Sequence, residues 1–122
     1  MQNLGRISIV DDDESLREAL VGLLRAAGFE AKAFASADEF LKSAEPRDSA
    51  CLILDVRMPG MSGLELQRRL ADSGSRVPIV FISAHVEGEA RALENGAVAF
   101  LKKPVSAAAL LDAIAAATKR GH

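Results

Sequence analysis

Short apolar runs alternate with amphipathic segments along the whole chain. Nearly every position is apolar in five runs, which predicts buried strands at Ile7–Val10, Ala31–Phe34, Cys51–Leu54, Val77–Ile82 and Ala97–Leu101. Pro78 stands near the start of the fourth run, where a strand tolerates proline. Strands of this kind are covered on both faces, so the pattern predicts an α/β fold with a parallel sheet.

The segments between the strands have helical periodicity. Leu16, Leu20, Leu23 and Ala27 share one face of a first helix, and Gly28 follows as its C-terminal glycine. Four further helices are predicted from a cap at Ser36 to about Ser43, from Ser62 to Ser73–Gly74, over Glu87–Glu94, and from a cap at Ser106 to about Thr118. The prediction is therefore a doubly wound sheet with five flanking helices.

Polar residues follow the strands at the points where each strand ends. They are Asp11, Asp12 and Asp13 after the first strand, Asp55 after the third, Ser83 after the fourth, and Lys103, which Pro104 follows, after the fifth. Open parallel sheets bind ligands at the carboxyl ends of their strands, where the strand order reverses. With the order 2-1-3-4-5, Asp11, Asp12 and Asp55 converge in one pocket, and Ser83 and Lys103 lie on its other side.

Three neighbouring carboxylates repel one another unless a cation neutralises them. Hard oxygen ligands in a small site suit Mg²⁺. A carboxylate, Mg²⁺, a lysine and a hydroxyl can together hold a phosphoryl group, and a carboxylate can accept it as nucleophile. The residues alone leave two alternatives open, a phosphoryl-accepting switch and a small Mg²⁺-dependent hydrolase. Asp13 is interpreted as a helix cap and Lys102 as a surface lysine.

Length and charge narrow the class of protein further. A chain of 122 residues predicts a single domain over residues 1–122. The net charge of −2 gives no sign of nucleic-acid binding, and no apolar run is long enough to span a membrane. Cys51 is the one cysteine, which excludes an internal disulfide and is consistent with a reducing cytoplasm. A buried, unreactive thiol is expected there.

Four motifs in order resemble the receiver domain of two-component response regulators. They are IVDDDES at Ile9–Ser15, LDVRMPGMSGLEL at Leu54–Leu66, VFISA at Val80–Ala84 and FLKKP at Phe100–Pro104. The resemblance covers Ile7 to about Thr118 and implies a flavodoxin-like fold. The segment LDVRMPGMSG is most similar to the FixJ-type branch of the family.

The resemblance implies a role for each site residue. Asp55 matches the phosphoacceptor, which receives a phosphoryl group from a phosphohistidine of a sensor histidine kinase. Asp12 matches a direct Mg²⁺ ligand and Asp11 one that acts mostly through water, while the backbone carbonyl of Arg57 completes the set. The remaining matches are Lys103 as partner of the phosphoryl group, a cis peptide at Lys103–Pro104, and Ser83 and Phe100 as the switch residues.

The family mechanism implied is a population shift. Phosphorylation draws Ser83 toward the new group, Phe100 turns inward, and the surface of the last two helices and the fifth strand changes its affinity for partners. Expected partners are the kinase, a downstream output domain or protein, and a second copy of the chain. A third alternative is a docking module that works without phosphorylation.

The chain departs from the family pattern between Ser83 and Phe100, which are roughly two residues closer than usual. The helix predicted at Glu87–Glu94 is therefore shortened, and Gly88 weakens it further. His85 and the Arg57 side chain are expected to flank the pocket entrance, and the simpler interpretation of His85 is a solvent-exposed loop imidazole. We expect no output domain after Thr118 in this sequence: the chain is either a stand-alone receiver or part of a longer protein, in which DNA binding would belong to other residues.

Overall fold

A computed structural model describes residues 5–120 of the chain. The strands are β1 (Arg6–Val10), β2 (Glu30–Phe34), β3 (Cys51–Asp55), β4 (Ile79–Ser83) and β5 (Ala99–Lys102). They form one parallel sheet in the order β2-β1-β3-β4-β5. The predicted fold class and strand order are confirmed, and the outer residues of the predicted domain, 1–4 and 121–122, lie outside the described residues.

The helices are α1 (Glu14–Ala26), α2 (Ala37–Lys42), α3 (Glu45–Asp48), α4 (Gly63–Asp72), α5 (Glu89–Glu94) and α6 (Ala107–Arg120). The described part of the chain thus has one helix more than predicted, the single turn α3. Pro46 lies in its first turn, where a missing N–H has no consequence. Glu45 is buried and accepts hydrogen bonds from Arg6, 39 residues away, so this helix depends on a tertiary contact that local periodicity does not reveal.

Helix α5 begins two residues later than its sequence predicts. Gly88 precedes it with a φ of 90°, in the left-handed region, and a right-handed helix cannot include such a residue. No side chain caps its first turn. The predicted span Glu87–Glu94 is therefore wrong at its start, and α5 has only six residues.

Two apolar clusters cover the two faces of the sheet. One joins α1 and α6 to the sheet through residues such as Leu24 and Ile114. The other joins α2, α4 and α5 to the opposite face through Phe40, Leu66 and Ala92. Strands β1, β3 and β4 are buried on both sides, as their continuous apolar sequence predicts, whereas the edge strands β2 and β5 are only partly buried. No described helix is long and apolar enough to cross a membrane.

Cys51 lies in the middle of this core with no exposed surface. Burial raises the pKa of its thiol to about 12. The thiolate is therefore scarce at neutral pH, which fits the prediction of an unreactive cysteine.

Caps fix where the helices that border the site begin. Asp13 caps α1 by accepting a hydrogen bond from the Leu16 N–H, which confirms its predicted role. Ser62 and Glu65 form a reciprocal capping box at the start of α4. Helix α4 therefore starts at a defined point after the loop that leaves Asp55.

Candidate functional site

Three carboxylates meet at the carboxyl edge of the sheet. Asp11 follows β1, Asp12 comes next, and Asp55 ends the neighbouring strand β3. Each offers an oxygen within 4.8 Å of the others. Asp11 and Asp55 are buried and Asp12 is exposed, so the cluster has a closed inner side and an open outer side.

Lys103 closes the inner side of the cluster. Its Nζ donates a hydrogen bond of 2.9 Å to Asp11 Oδ2 and lies 3.6 Å from Asp55 Oδ2. Its backbone N–H donates to the Ser83 carbonyl at 2.7 Å, which ties the end of β5 to the end of β4. The Lys103–Pro104 peptide bond is cis.

The charges of the cluster act on one another. Burial raises the pKa of Asp55, and the charge of Asp11 raises it further, against the opposing effects of Lys103 and a backbone hydrogen bond from Arg57. Burial of Lys103 works to lower its pKa, but the hydrogen bonds and charges of Asp11 and Asp55 together outweigh it, so the pKa of Lys103 is raised. Lys103 therefore stays charged at neutral pH.

Asp11 is held in place by its surroundings. Its Oδ1 accepts a 2.9 Å hydrogen bond from the Asp13 N–H, while Oδ2 faces Lys103. Arg17 donates to the backbone carbonyl of Asp11 at 2.8 Å. Both Asp11 oxygens thus have donors, whereas the exposed Asp12 carboxylate lies at the solvent side of the cluster.

The donor set suits a small hard cation. Carboxylate oxygens are the ligands that Mg²⁺ prefers, and it typically takes one or two of them and keeps several waters. An oxygen cluster with one exposed member meets both requirements.

The two switch candidates lie on β4 and β5. Ser83 is buried, and its Oγ accepts a 3.1 Å hydrogen bond from the His85 N–H. Phe100 is partly buried in β5 and packs beside Phe81 of β4, with ring centroids 6.1 Å apart and planes inclined by 30°. Ser83 directly follows Ile82, the register partner of Asp55, whereas Phe100 pairs with Phe81 one strand further out.

The Arg57 side chain pairs with a residue that the sequence did not single out. Arg57 Nη2 donates a 2.7 Å hydrogen bond to Glu87 Oε2. Both side chains are more than half exposed, so the pair is solvated and joins the loop after β3 to the loop after β4. His85 is exposed in the same loop.

Gly63 is a site residue that the sequence reasoning missed. A Cβ at this position would overlap the backbone carbonyl of Asp55, and the Gly63 N–H donates to the Val56 carbonyl at 2.8 Å. The phosphoacceptor candidate and the start of α4 are therefore in backbone contact. The only signal in the sequence is a glycine at the first position of a capped helix, where glycine is not otherwise required.

This fold and site define a receiver domain. The chain matches the response regulator receiver domain family over residues 7–115 and belongs to it. It is 47% identical to nodulation protein W of Bradyrhizobium diazoefficiens over 116 residues, 93% of this chain and 51% of that protein. It is 46% identical to the response regulator protein TodT of Pseudomonas putida over 115 residues, 93% of this chain and 51% of that one.

Solved structures of response regulators are similar to this chain in fold and in sequence. The response regulator StyR is 48% identical, with a TM-score of 0.88 over 94% of this chain and 59% of that one. FixJ-N is 36% identical, with a TM-score of 0.88 over 98% of this chain and 96% of that one. The resemblance to receiver domains, including the FixJ type, is confirmed, and the chain spans about half the length of the curated relatives it matches. The family is one of signalling domains, not of catalytic enzymes in general.

Proposed function

We propose that Asp55 accepts a phosphoryl group in a Mg²⁺-dependent reaction and that the domain works as the switch of a two-component system. The observation that carries this proposal is the placement of Lys103, whose Nζ lies between Asp11 Oδ2 and Asp55 Oδ2. A positive charge already paired with Asp11 and next to Asp55 is well placed to hold an oxygen of a group attached to Asp55.

The donor is a phosphohistidine of a sensor histidine kinase. An oxygen of the Asp55 carboxylate attacks phosphorus, a P–O bond forms, and the P–N bond breaks with its electron pair returning to the imidazole nitrogen. Attack needs the ionised carboxylate, which is the form that burial and Asp11 disfavour. Lys103 opposes that effect and then pairs with the transferred group, while its bond to Asp11 keeps it in place.

The cation would be held by the carboxylates of Asp12, Asp11 and Asp55 and by the backbone carbonyl of Arg57. Bound there, Mg²⁺ supplies positive charge that offsets the carboxylates and the incoming phosphoryl oxygens. The exposed Asp12 is suited to bind it directly, and the buried Asp11, with donors on both oxygens, to act through water.

Phosphorylation then shifts a population. The new acceptor oxygens attract the Ser83 hydroxyl, whose Oγ accepts from the His85 N–H in the unmodified chain, and the space that Ser83 vacates lets Phe100 turn inward. To move an arrangement from 1:99 to 99:1, the phosphoryl group must favour the active state by about 5.5 kcal/mol. The surface formed by α5, β5 and α6 is the proposed output.

The partners follow from the same proposal. The relatives are about twice as long as this chain, and three are named transcriptional regulatory proteins, so we propose an output domain outside these residues. Homodimerisation on phosphorylation and a cytoplasmic location belong to the proposal too. The buried, free Cys51 supports a reducing compartment.

Intact-protein mass spectrometry with Mg²⁺ and acetyl phosphate tests the proposal. The wild type should gain a single phosphoryl adduct that chelation of Mg²⁺ abolishes. The Asp55→Asn variant should gain none, and Asp112→Asn, a matched change at an exposed position of α6, should behave as the wild type.

An adduct that survives in Asp55→Asn would contradict the assignment of Asp55. A wild type that binds neither acetyl phosphate, Mg²⁺ nor beryllofluoride would contradict the switch and favour the docking module. Rapid turnover of ordinary phosphate esters, with no lasting adduct, would favour the hydrolase.

A further inference from the structure

The buried side chain of Gln67 joins α4 to α5. Gln67 is 4% exposed, and its Nε2 donates a 3.0 Å hydrogen bond to the backbone carbonyl of Ala92. Its Oε1 is buried and has no partner among the described residues. Buried polar side chains normally have a hydrogen-bonding role, and the bond to the Ala92 carbonyl gives Gln67 such a role.

A second contact joins α4 to the segment that begins α5. Gly88 packs at the start of α5, where a Cβ would lie 3.1 Å from Leu64 and 3.8 Å from Val56. Leu64 and Gln67 are three residues apart and share one face of α4. Gly88 precedes α5, and its carbonyl accepts a 2.9 Å hydrogen bond from the Ala92 N–H, which links the two contact points on the other segment. The apolar contact holds the beginning of α5 and Gln67 holds its end.

Few buried side chains hold α5. The helix has six residues, no side-chain cap and one buried residue, Ala92. A cavity of about 570 Å³ lies beside the turn that follows, lined by Gln67, Asn95 and Gly96 among others. The Ala92 carbonyl also accepts from the Ala97 N–H at 3.0 Å, so this one oxygen connects α4, α5 and the turn to β5.

Helix α4 in turn begins against the phosphoacceptor candidate. Gly63, its first residue, abuts the Asp55 backbone carbonyl, and Val56 follows Asp55 directly. The contacts therefore run without a gap from Asp55 through α4 to the Ala92 carbonyl.

We propose that Gln67 is the positioning residue that couples α5 to α4, so that its side-chain amide sets how firmly α5 is held and carries changes at Asp55 into α5. The second half rests on the proposed function, because it requires Asp55 to be modified. The first half concerns the unmodified chain and stands without it.

Hydrogen–deuterium exchange of the purified chain tests both halves. Gln67→Met keeps the side-chain length but removes the donor and the unpartnered acceptor, and the Ala92 carbonyl keeps its bond from Ala97. Arg68→Met is the matched control, because Arg68 is exposed on the same helix. In Gln67→Met we expect amides of residues 92–97 to exchange about threefold to tenfold faster, while β1 and β3 exchange as in the wild type. Arg68→Met should change neither.

The second measurement adds Mg²⁺ and beryllofluoride, a stable analogue of the phosphoryl group. The wild type should change its exchange over residues 88–97, and Gln67→Met should bind the analogue equally well but show less than half of that change. If the wild type does not bind the analogue, the proposed function fails, while the unmodified comparison still decides the role of Gln67.

If residues 92–97 of unmodified Gln67→Met exchange at the same rate as in the wild type, the proposed coupling is overturned. A full response to beryllofluoride in that variant would also overturn it. Gln67→Leu is the second variant, and if circular dichroism shows that neither variant folds, Gln67 is required for the fold as a whole and the positioning role is rejected.

Discussion

Gly63 begins α4 directly against the backbone carbonyl of Asp55, at a distance that leaves no room for a Cβ. Asp55 ends β3, so this contact fixes the helix and the carboxylate relative to each other. A glycine at the first position of a helix with its own capping box is therefore required by the neighbouring strand, not by the helix.

Replacing Gly63 with alanine should destabilise the chain. The clash with backbone forces a shift that we expect to lower the free energy of unfolding by about 1–3 kcal/mol, as for other overpacked sites. Gly22→Ala is the control, because Gly22 lies within α1 with nothing near its missing Cβ, and it should stabilise the chain by about 0.5–1 kcal/mol. Urea unfolding distinguishes the two, and a Gly63→Ala variant as stable as Gly22→Ala would contradict the contact.

Arg6 and Glu45 form an ion pair far from the site, and its two members should respond differently to mutation. Glu45 is 2% exposed and accepts two hydrogen bonds from Arg6, of 3.1 and 2.9 Å, whereas Lys32 lies 3.8 Å away and is mostly exposed. Arg6→Met leaves a buried carboxylate with only this distant partner. Glu45→Gln leaves Arg6, which is 37% exposed, free to meet water.

We therefore expect Arg6→Met to lower the free energy of unfolding by at least about twice as much as Glu45→Gln does. Chemical denaturation at neutral pH measures both. Equal losses, or a larger loss for Glu45→Gln, would show that the buried carboxylate does not depend on Arg6.

Strand periodicity predicted most of the fold because buried parallel strands are apolar at nearly every position. The strand order then placed Asp11, Asp12, Asp55 and Lys103 at one edge of the sheet, and the structure brings all four together. Local sequence carries this information, since each residue directly follows its strand.

The features that the sequence did not predict are contacts between distant segments. Helix α3 forms around Glu45 because Arg6 of strand β1 donates a hydrogen bond to its carboxylate. Gly63 lies against the backbone carbonyl of Asp55, and Gln67 donates a hydrogen bond to the backbone carbonyl of Ala92. Hydrophobic periodicity carries no information about contacts with distant backbone atoms. Gln67 does leave a trace, a polar residue three positions from both Leu64 and Leu70 on the inner side of α4.

Removing Lys103 should separate phosphorylation from cation binding. In Lys103→Met the phosphoryl group loses its positive partner, and we expect Mg²⁺-dependent phosphorylation by acetyl phosphate to slow by about 10²-fold or more. The carboxylates lose the cation that offsets their charge, so Mg²⁺ should bind more tightly.

Intact mass against time gives the rate, and a Mg²⁺ titration monitored by thermal unfolding gives the affinity. Lys102→Met is the matched control, because Lys102 directly precedes Lys103 and its side chain is exposed. It should leave the phosphorylation rate and the Mg²⁺ affinity unchanged. Weaker Mg²⁺ binding in Lys103→Met would indicate that Lys103 maintains the structure of the site and does not act mainly through its charge.

Asp55 should reduce the stability of the Mg²⁺-free chain at neutral pH. Burial, and then the charge of Asp11, raise the pKa of Asp55 in the folded state above its unfolded value, so the folded chain binds the proton more tightly. Stability therefore falls as pH rises from the unfolded pKa, about 3.9, through the higher folded pKa, and the full penalty remains above it. Asp55→Asn carries no charge and escapes this penalty.

With Mg²⁺ chelated at pH 7, we expect Asp55→Asn to be more stable than the wild type by on the order of 1 kcal/mol. The difference should shrink as the pH is lowered through the folded pKa, because the wild type then becomes neutral at this position as well. Asp112→Asn, at an exposed position, should follow the wild type throughout. Denaturant unfolding of the three chains across this pH range decides the matter, and a stability gap that widened on acidification would mean that the folded state lowers the pKa of Asp55 and so favours its charge.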